Sequence, residues 1–133
     1  MKVLIVKPVE KAVAGRVGRG LKAMQKFVGG SIEMVYPFDD NVSLVCNEEG
    51  KINGLPFNRA IYGDDGEIAD FIVGDFFICD TSGEDVDSLS DDMMKKYRKM
   101  FEFPEVMATD VYNNGDVVII KQDPDNLPPT TKL

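Results

Sequence analysis

The sequence predicts an α+β fold, with a mainly antiparallel sheet, two principal helices and a short helical turn, in a single domain. Three observations predict it. Short apolar runs of strand length are separated by turn signals, and two segments repeat apolar residues at helical spacing. The length of 133 residues is that of one domain with its own core. We place the domain at residues 1–122. Residues 123–133, with three prolines and no periodicity, are expected to be a flexible C-terminal tail.

The N-terminal half predicts two strands, a helix and a hairpin. Residues 2–8 are apolar and β-branched and predict a first strand, while residues 9–17 predict a short second one. Residues 20–28 repeat apolar side chains at helical spacing, and the two glycines that follow would end the helix in a left-handed conformation. Residues 31–36 and 42–46 alternate apolar and polar side chains on either side of a turn, which predicts a β-hairpin.

The middle of the chain predicts a short helix and an interior strand. Pro56 is suited to the first position of a helix, so we predict a helical turn over residues 56–62. Residues 63–67 form an acidic loop. Residues 71–79 are the most apolar stretch and predict an interior strand. Gly74 and Asp75 in its middle indicate a bulge or a break into two strands.

The C-terminal part predicts a helix and a second hairpin. Ser90 is a suitable N-cap, acidic residues follow it, and basic residues come later, an order that suits the helix dipole. Pro104 would close this helix. Residues 106–112 and 116–121 then flank an Asn-Asn-Gly sequence, which is typical of a hairpin turn.

Composition excludes several kinds of function. The chain has no histidine, so neither Ser-His-Asp nor Cys-His catalysis can be assembled within one chain. Cys46 and Cys79 show no metal-ligand spacing and are expected to be buried, reduced thiols of a cytoplasmic protein. No apolar run approaches the ~20 residues of a membrane span, so no membrane association is expected. We predict no cofactor and no bound metal.

Charge is distributed unevenly along the chain. The net charge is −8, but residues 1–30 hold seven basic side chains and one acidic, a balance of +6. The remaining residues hold eight basic and twenty-two acidic side chains, a balance of −14. Such a split is compatible with an anion-binding face, or with a basic segment that lies against the acidic remainder of its own fold. We favour the second interpretation and expect no direct binding of nucleic acid.

The strongest candidate for a site lies at residues 46–59, where charge, amides, glycine and proline are concentrated between apolar runs. Six polar side chains are its candidate ligand contacts: Asn47, Glu48, Glu49, Lys51, Asn58 and Arg59. A structural interpretation is that Arg59 pairs bidentately with Glu48 or Glu49 and ties the loop down. A functional interpretation is that the same groups line a polar pocket. Spacing alone favours the structural interpretation, and we predict an Arg59 clamp with a pocket beside it.

Several of these segments also resemble a family signature. The matching segments are VGGSIE at residues 28–33, NEEGK at 47–51, GLPFNRAI at 54–61 and IVG at 72–74. Together they are similar, over roughly residues 20–80, to a family of small proteins from bacteria, phages and plasmids that is catalogued as a domain of unknown function. The resemblance implies a single α+β domain associated with mobile elements. It implies no activity.

Three functions are compatible with these observations. The favoured one is a non-catalytic binding module that engages a small polar ligand or a host protein through residues 47–59; a homo-oligomer is also compatible. The second is a small enzyme with Glu48 or Glu49 as general base and Arg59 as anion anchor. The third is an acidic decoy that occupies a DNA-acting host protein.

Overall fold

The computed structural model describes residues 1–110 and 114–125. Within them the chain forms nine strands and two helices. The strands are β1 (Lys2–Val6), β2 (Val13–Arg16), β3 (Ile32–Val35), β4 (Val42–Asn47), β5 (Phe57–Tyr62), β6 (Ile68–Val73), β7 (Phe76–Asp80), β8 (Glu105–Asp110) and β9 (Asp116–Lys121). The helices are α1 (Leu21–Val28) and α2 (Asp91–Met100). The described residues therefore form mostly antiparallel sheet with two helices, in rough agreement with the predicted α+β class.

The centre of the fold is a five-stranded antiparallel sheet in the order β2-β1-β7-β4-β3. Its three inner strands are buried on both faces, and their side chains alternate between two cores. In β1, for example, Val3 belongs to one core and Leu4 to the other. Because both faces are buried, the sequences of these inner strands are mostly apolar and do not alternate with polar residues.

Different layers cover the two faces of this sheet. Helix α1 packs on one face, where Met24 joins Phe77 and Val45 in the smaller core. Helix α2 and the β5–β6 hairpin cover the other face, with Tyr97 and Ile61 in the larger core. The third antiparallel pair, β8–β9, contacts the outer side of β5.

Both predicted principal helices are present, with the expected ends. Helix α1 ends at Gly29, whose φ of +80° is easily adopted only without a Cβ atom. The Ser90 hydroxyl caps α2 by accepting a hydrogen bond from the Met93 N–H at 3.2 Å. Neither helix has the length or the apolar character needed to cross a bilayer.

The predicted helical turn over residues 56–62 is wrong. Residues Phe57–Tyr62 form strand β5, which pairs with β6 in an antiparallel hairpin. Pro56 precedes the first residue of that strand, a position that also tolerates proline. The extended conformation of β5 is therefore stabilised by its pairing with β6, and this pairing outweighs the local preference for a helix that Pro56 indicated.

The predicted break at Gly74 and Asp75 is confirmed, and it separates two sheets. Gly74 takes a φ of +72°, and the chain passes there from β6 of the hairpin to β7 at the centre of the large sheet. A Cβ atom at Gly74 would lie 2.7 Å from Cδ1 of Leu55. The positive φ therefore favours glycine, and a larger residue would also have to displace the Leu55 side chain.

Both predicted hairpins are present as β3–β4 and β8–β9. At the tip of the second, Asn114 and Gly115 take φ values of +59° and +76°, which suits the twist of a tight hairpin. Residues 111–113 of the predicted strand and turn, and residues 126–133 of the predicted tail, lie outside the described residues. Both cysteines are free and buried, as expected.

Candidate ligand-binding cleft

A half-open cleft of about 630 Å³ lies between α2, β5, the turn before β4 and the β8–β9 hairpin. Helix α2 supplies Tyr97 and Met100 to its wall, and β5 supplies Ala60 and Ile61. The turn contributes Phe38. A cleft of this size suits a small organic molecule.

An acidic side chain fixes α2 to the turn. One carboxylate oxygen of Asp40 accepts hydrogen bonds from the Tyr97 hydroxyl and from Lys96 Nζ, both at 2.6 Å. The Lys96 and Tyr97 bonds lower the pKa of Asp40. The Phe38 ring packs on Tyr97 with centroids 4.7 Å apart. This side of the cleft is therefore held in place without a ligand.

Glu105 joins the hairpin to β5. Its side chain is 4% exposed, and its Oε1 accepts a hydrogen bond from the Ala60 N–H at 2.9 Å. Burial raises the pKa of this carboxyl group, against the opposing effects of the Ala60 bond and of the charges of Arg59 and Lys121. A carboxylate thus occupies the place on the outer edge of β5 where a neighbouring strand would supply a carbonyl oxygen.

Beneath the cleft lies Arg59, which is fully buried. One terminal nitrogen donates to the Asn58 main-chain and side-chain oxygens, at 3.3 and 2.9 Å. The other donates to the Glu10 carbonyl at 2.6 Å and to the Phe101 carbonyl at 3.1 Å, just after the end of α2. Burial lowers the pKa of Arg59 to about 10, although the charge of Glu105 acts in the opposite direction.

Asn58 extends this network into the central sheet. It is fully buried, and its amide nitrogen donates to the carbonyls of Val6 and Gly74 at 2.9 and 2.8 Å. Together with Arg59 it connects the end of β1, the break before β7 and the end of α2. The two side chains therefore bind the layers of the protein to one another.

Three of the other four candidate residues, Asn47, Glu48 and Lys51, line a separate hollow of about 110 Å³. Asn47 is tied to the chain: its amide donates to the Val28 carbonyl at 3.1 Å and accepts from the Glu49 N–H at 2.8 Å. Lys51 pairs with Asp70 at 2.9 Å, and its ammonium lies 4.1 Å from the centroid of the Phe71 ring. Glu48 lines the hollow, and both Glu48 and Glu49 are exposed.

The predicted pairing of Arg59 with Glu48 or Glu49 is wrong. A helix over residues 56–62 would have returned Arg59 towards the 47–51 turn. Strand β5 instead directs it into the interior, where its donors meet carbonyl groups from distant parts of the chain. The six candidate residues thus fall into two places, and the structure does not bring them to one pocket.

Sequence reasoning missed the residues that line the larger cleft. Tyr97 and Met100 belong to an apolar stripe at helical spacing over residues 93–101, which is compatible with a groove for a partner but favours a core face. Glu105 follows Pro104 at the start of a strand, a position with no signal for a buried carboxylate. Within residues 1–110 and 114–125, no group of three or more Cys, Asp or Glu side chains could hold a metal ion.

Comparisons with known proteins place the chain in a family. Searches of the curated proteins and of the solved structures found no significant match. A protein-family model matches residues 1–102, and so includes α2 but ends before β8. Helix α2, β5 and the turn therefore come from the matched region, while Glu105 and Lys121 lie beyond it. The match covers most of the chain, and the protein belongs to the family described as a domain of unknown function, DUF3846.

Proposed function

We propose that the protein is a non-catalytic binding module whose small-molecule ligand occupies the cleft between α2 and β5. The observation that carries this proposal is the cleft itself, which has about 630 Å³ of space between walls fixed by buried hydrogen bonds. We further propose that the module is cytoplasmic and of the phage or mobile-element type that the family resemblance implies.

The lining of the cleft supports ligand binding. Small-molecule sites combine an apolar, partly aromatic surface with a few polar groups that orient the ligand. Phe38, Met100 and Phe101 supply the first, and charged side chains at the margin supply the second. Because the walls are tied together beforehand, a ligand would not have to order them, and this reduces the cost of binding.

The residues singled out in the sequence take different parts in this proposal. Asn58 and Arg59 support the cleft from below and, being buried, present no surface to a ligand. Asn47, Glu48 and Lys51, which line the smaller hollow, and the exposed Glu49 remain an alternative contact surface. Lys51 is already paired there with Asp70, so we place the ligand in the larger cleft.

The two other candidate functions have less support. The enzyme would need Glu48 or Glu49 beside Arg59, but both glutamates are exposed and Arg59 donates elsewhere. The decoy would need a continuous acidic surface. Among the described residues, however, Arg19, Lys51 and Lys96 are each paired with an aspartate, so part of the acidic charge is compensated within the protein.

A thermal-shift screen against a panel of metabolites and nucleotides tests the proposal. A ligand should raise Tm by mass action. Met100→Trp, which introduces a bulky ring at the cleft, should abolish that rise. Met107→Trp is the matched control, because Met107 has a similar exposure, 41% against 44%, and does not line the cleft.

The alternatives give different results in the same experiment. Loss of the Tm rise in Lys51→Ala, with the rise retained in Met100→Trp, would move the site to the smaller hollow. Turnover of a panel compound would show an enzyme. Co-purification with a host protein that separates as salt is raised would support the decoy, since exposed charge contacts are screened.

A further inference from the structure

We infer that the ligand is a small zwitterion, with an apolar body that carries one anionic and one cationic group. This inference rests on the proposed function and specifies the chemistry of that same cleft. The charged side chains at the cleft fall into two sets: those that the protein already compensates, and those that form no ion pair.

Two cations of this region are already compensated. Lys96 forms an ion pair with Asp40 at 2.6 Å. The guanidinium of Arg59 lies below the cleft, donates to four oxygens and acts electrostatically on the buried Glu105. These groups fix the walls of the cleft, and their charges are largely cancelled within the protein.

Four charged groups of the lining are left over, two of each sign. Lys99 lies on α2 and Lys121 at the end of β9, while Asp39 and Asp64 lie in the turns that precede β4 and follow β5. Among the described residues, none of the four takes part in an ion pair, although the charge of Lys121 also acts on the buried Glu105. The cations belong to one helix and one hairpin, and the anions to two loops.

This arrangement favours a ligand with both charges over a ligand with one. An anion would be attracted by the two lysines but would also meet the two aspartates, and a cation would meet the reverse. A zwitterion can satisfy both pairs while its body covers the apolar surface of Phe38 and Met100. Partial removal of water from the half-open cleft strengthens each of these contacts.

Four compounds with one phenyl body separate the possibilities. L-phenylalanine is a zwitterion, N-acetyl-L-phenylalanine an anion, L-phenylalaninamide a cation and 2-phenylethanol neutral. We expect L-phenylalanine to bind with a Kd about tenfold or more below that of each analogue in titrations followed by protein NMR. Equal or tighter binding of the anion or of the cation would overturn the inference.

Paired substitutions assign each charge. Lys99→Gln with Lys121→Gln should remove the preference for L-phenylalanine over the amide. Asp39→Asn with Asp64→Asn should remove the preference over the N-acetyl compound. Lys95→Gln and Asp85→Asn change exposed charges outside the cleft and should leave both preferences intact. A preference that survives the cleft substitutions would contradict the assignment.

Failure of this inference can be distinguished from failure of the proposed function. If no phenyl compound binds while a panel metabolite raises the Tm of the wild type but not of Met100→Trp, the zwitterion is wrong and the binding cleft stands. If Met100→Trp leaves the Tm rise of every binding compound unchanged, the cleft itself is wrong.

Discussion

Arg59 shows how a buried charge can be accommodated mainly by carbonyl oxygens. Its terminal nitrogens meet four acceptors, three of them main-chain carbonyls, from Asn58, Glu10 and Phe101. Its Nε is buried without a hydrogen-bond partner among the described residues. The bond to Glu10 also holds a turn in which Val9 takes an unfavourable φ of +59°. Arg59 therefore connects strained and regular segments that are far apart in sequence.

Arg59→Ala should lower the free energy of unfolding by about 2–4 kcal/mol, because it leaves buried carbonyls unsatisfied and a void behind. Urea denaturation measures the change. Arg59→Lys should restore little, since an ammonium cannot reproduce the planar fork that reaches separate acceptors.

Arg98→Ala is the control for Arg59, because it removes an exposed arginine from α2. Its effect should be within about 0.5 kcal/mol. If Arg59→Ala were as mild as Arg98→Ala, the clamp would be unnecessary for stability.

Glu105 should make stability depend on pH in an unusual direction for a carboxylate. Burial raises its pKa above the ordinary 4.5, so the folded protein holds this proton more tightly than the unfolded chain does. The stabilisation from protonation is complete below about 4.5 and is lost as pH rises through the raised value. Relative to Glu105→Gln, the wild type should therefore gain stability as pH falls from 7 towards 4.5.

The Gln side chain is the matched comparison, because it keeps an acceptor for the Ala60 N–H and removes the titration. Unfolding free energies of both proteins at pH 7 and pH 4.5 give the difference directly. A wild type that loses stability relative to Glu105→Gln on acidification would mean that attraction to Arg59 outweighs burial.

The sequence indicated the importance of Arg59 but not its partners. A guanidinium close to apolar strands is expected to be paired, and Glu48 and Glu49 were the anions towards which a helical turn over residues 56–62 would have returned it. Besides the adjacent Asn58, its acceptors are carbonyls 49 and 42 residues away, at Glu10 and Phe101. Every residue has a carbonyl group, so composition and spacing contain no signal for such contacts.

At the scale of the element, periodicity predicted most of the fold, and it failed at β5. Helices α1 and α2 and the hairpin β3–β4 have clear repeats, and their ends have recognisable caps and turns. Strand β5 has four consecutive buried residues, two of them polar, Asn58 and Arg59. Polar residues buried on both faces of a strand hide the alternation on which the assignment of strands depends.

Gly74 is the element-scale position most sensitive to substitution. Gly74→Ala should cost about 1–3 kcal/mol or more, because a positive φ and a close approach of Leu55 act together. Gly54→Ala shares the positive φ, at +69°, but has open space, and Gly83→Ala has neither constraint.

The expected order of destabilisation is therefore Gly74→Ala, then Gly54→Ala, then Gly83→Ala, measured by thermal or urea unfolding. Equal effects at Gly74 and Gly54 would mean that Leu55 moves aside at no cost. An effect at Gly83 as large as that at Gly74 would contradict both arguments.

At the scale of the whole molecule, the two thiols report on the central sheet from opposite faces. Cys46 belongs to the larger core and Cys79 to the smaller one, and burial raises the pKa of both to about 11. We expect a thiol reagent to label neither in the native protein, and to label both at one rate under conditions that unfold the sheet as a unit.

Ile52→Cys supplies the positive control, because position 52 is 87% exposed and a thiol there should react at once. Rapid labelling of Cys46 or Cys79 without denaturant would contradict the packing of the sheet. Different rates for the two would mean that its faces open separately.

The order of the central sheet also bears on how the protein is made. Strand β7 lies between β1 and β4 and pairs with both, so the hairpins β1–β2 and β3–β4 have no shared partner until Asp80 has been synthesised. At roughly 5–20 residues per second, the first hairpin waits several seconds in the growing chain with its apolar edge unpaired. The nascent chain is therefore most exposed to mispairing and to chaperones before β7 emerges from the ribosome, and the sheet can close only after that point.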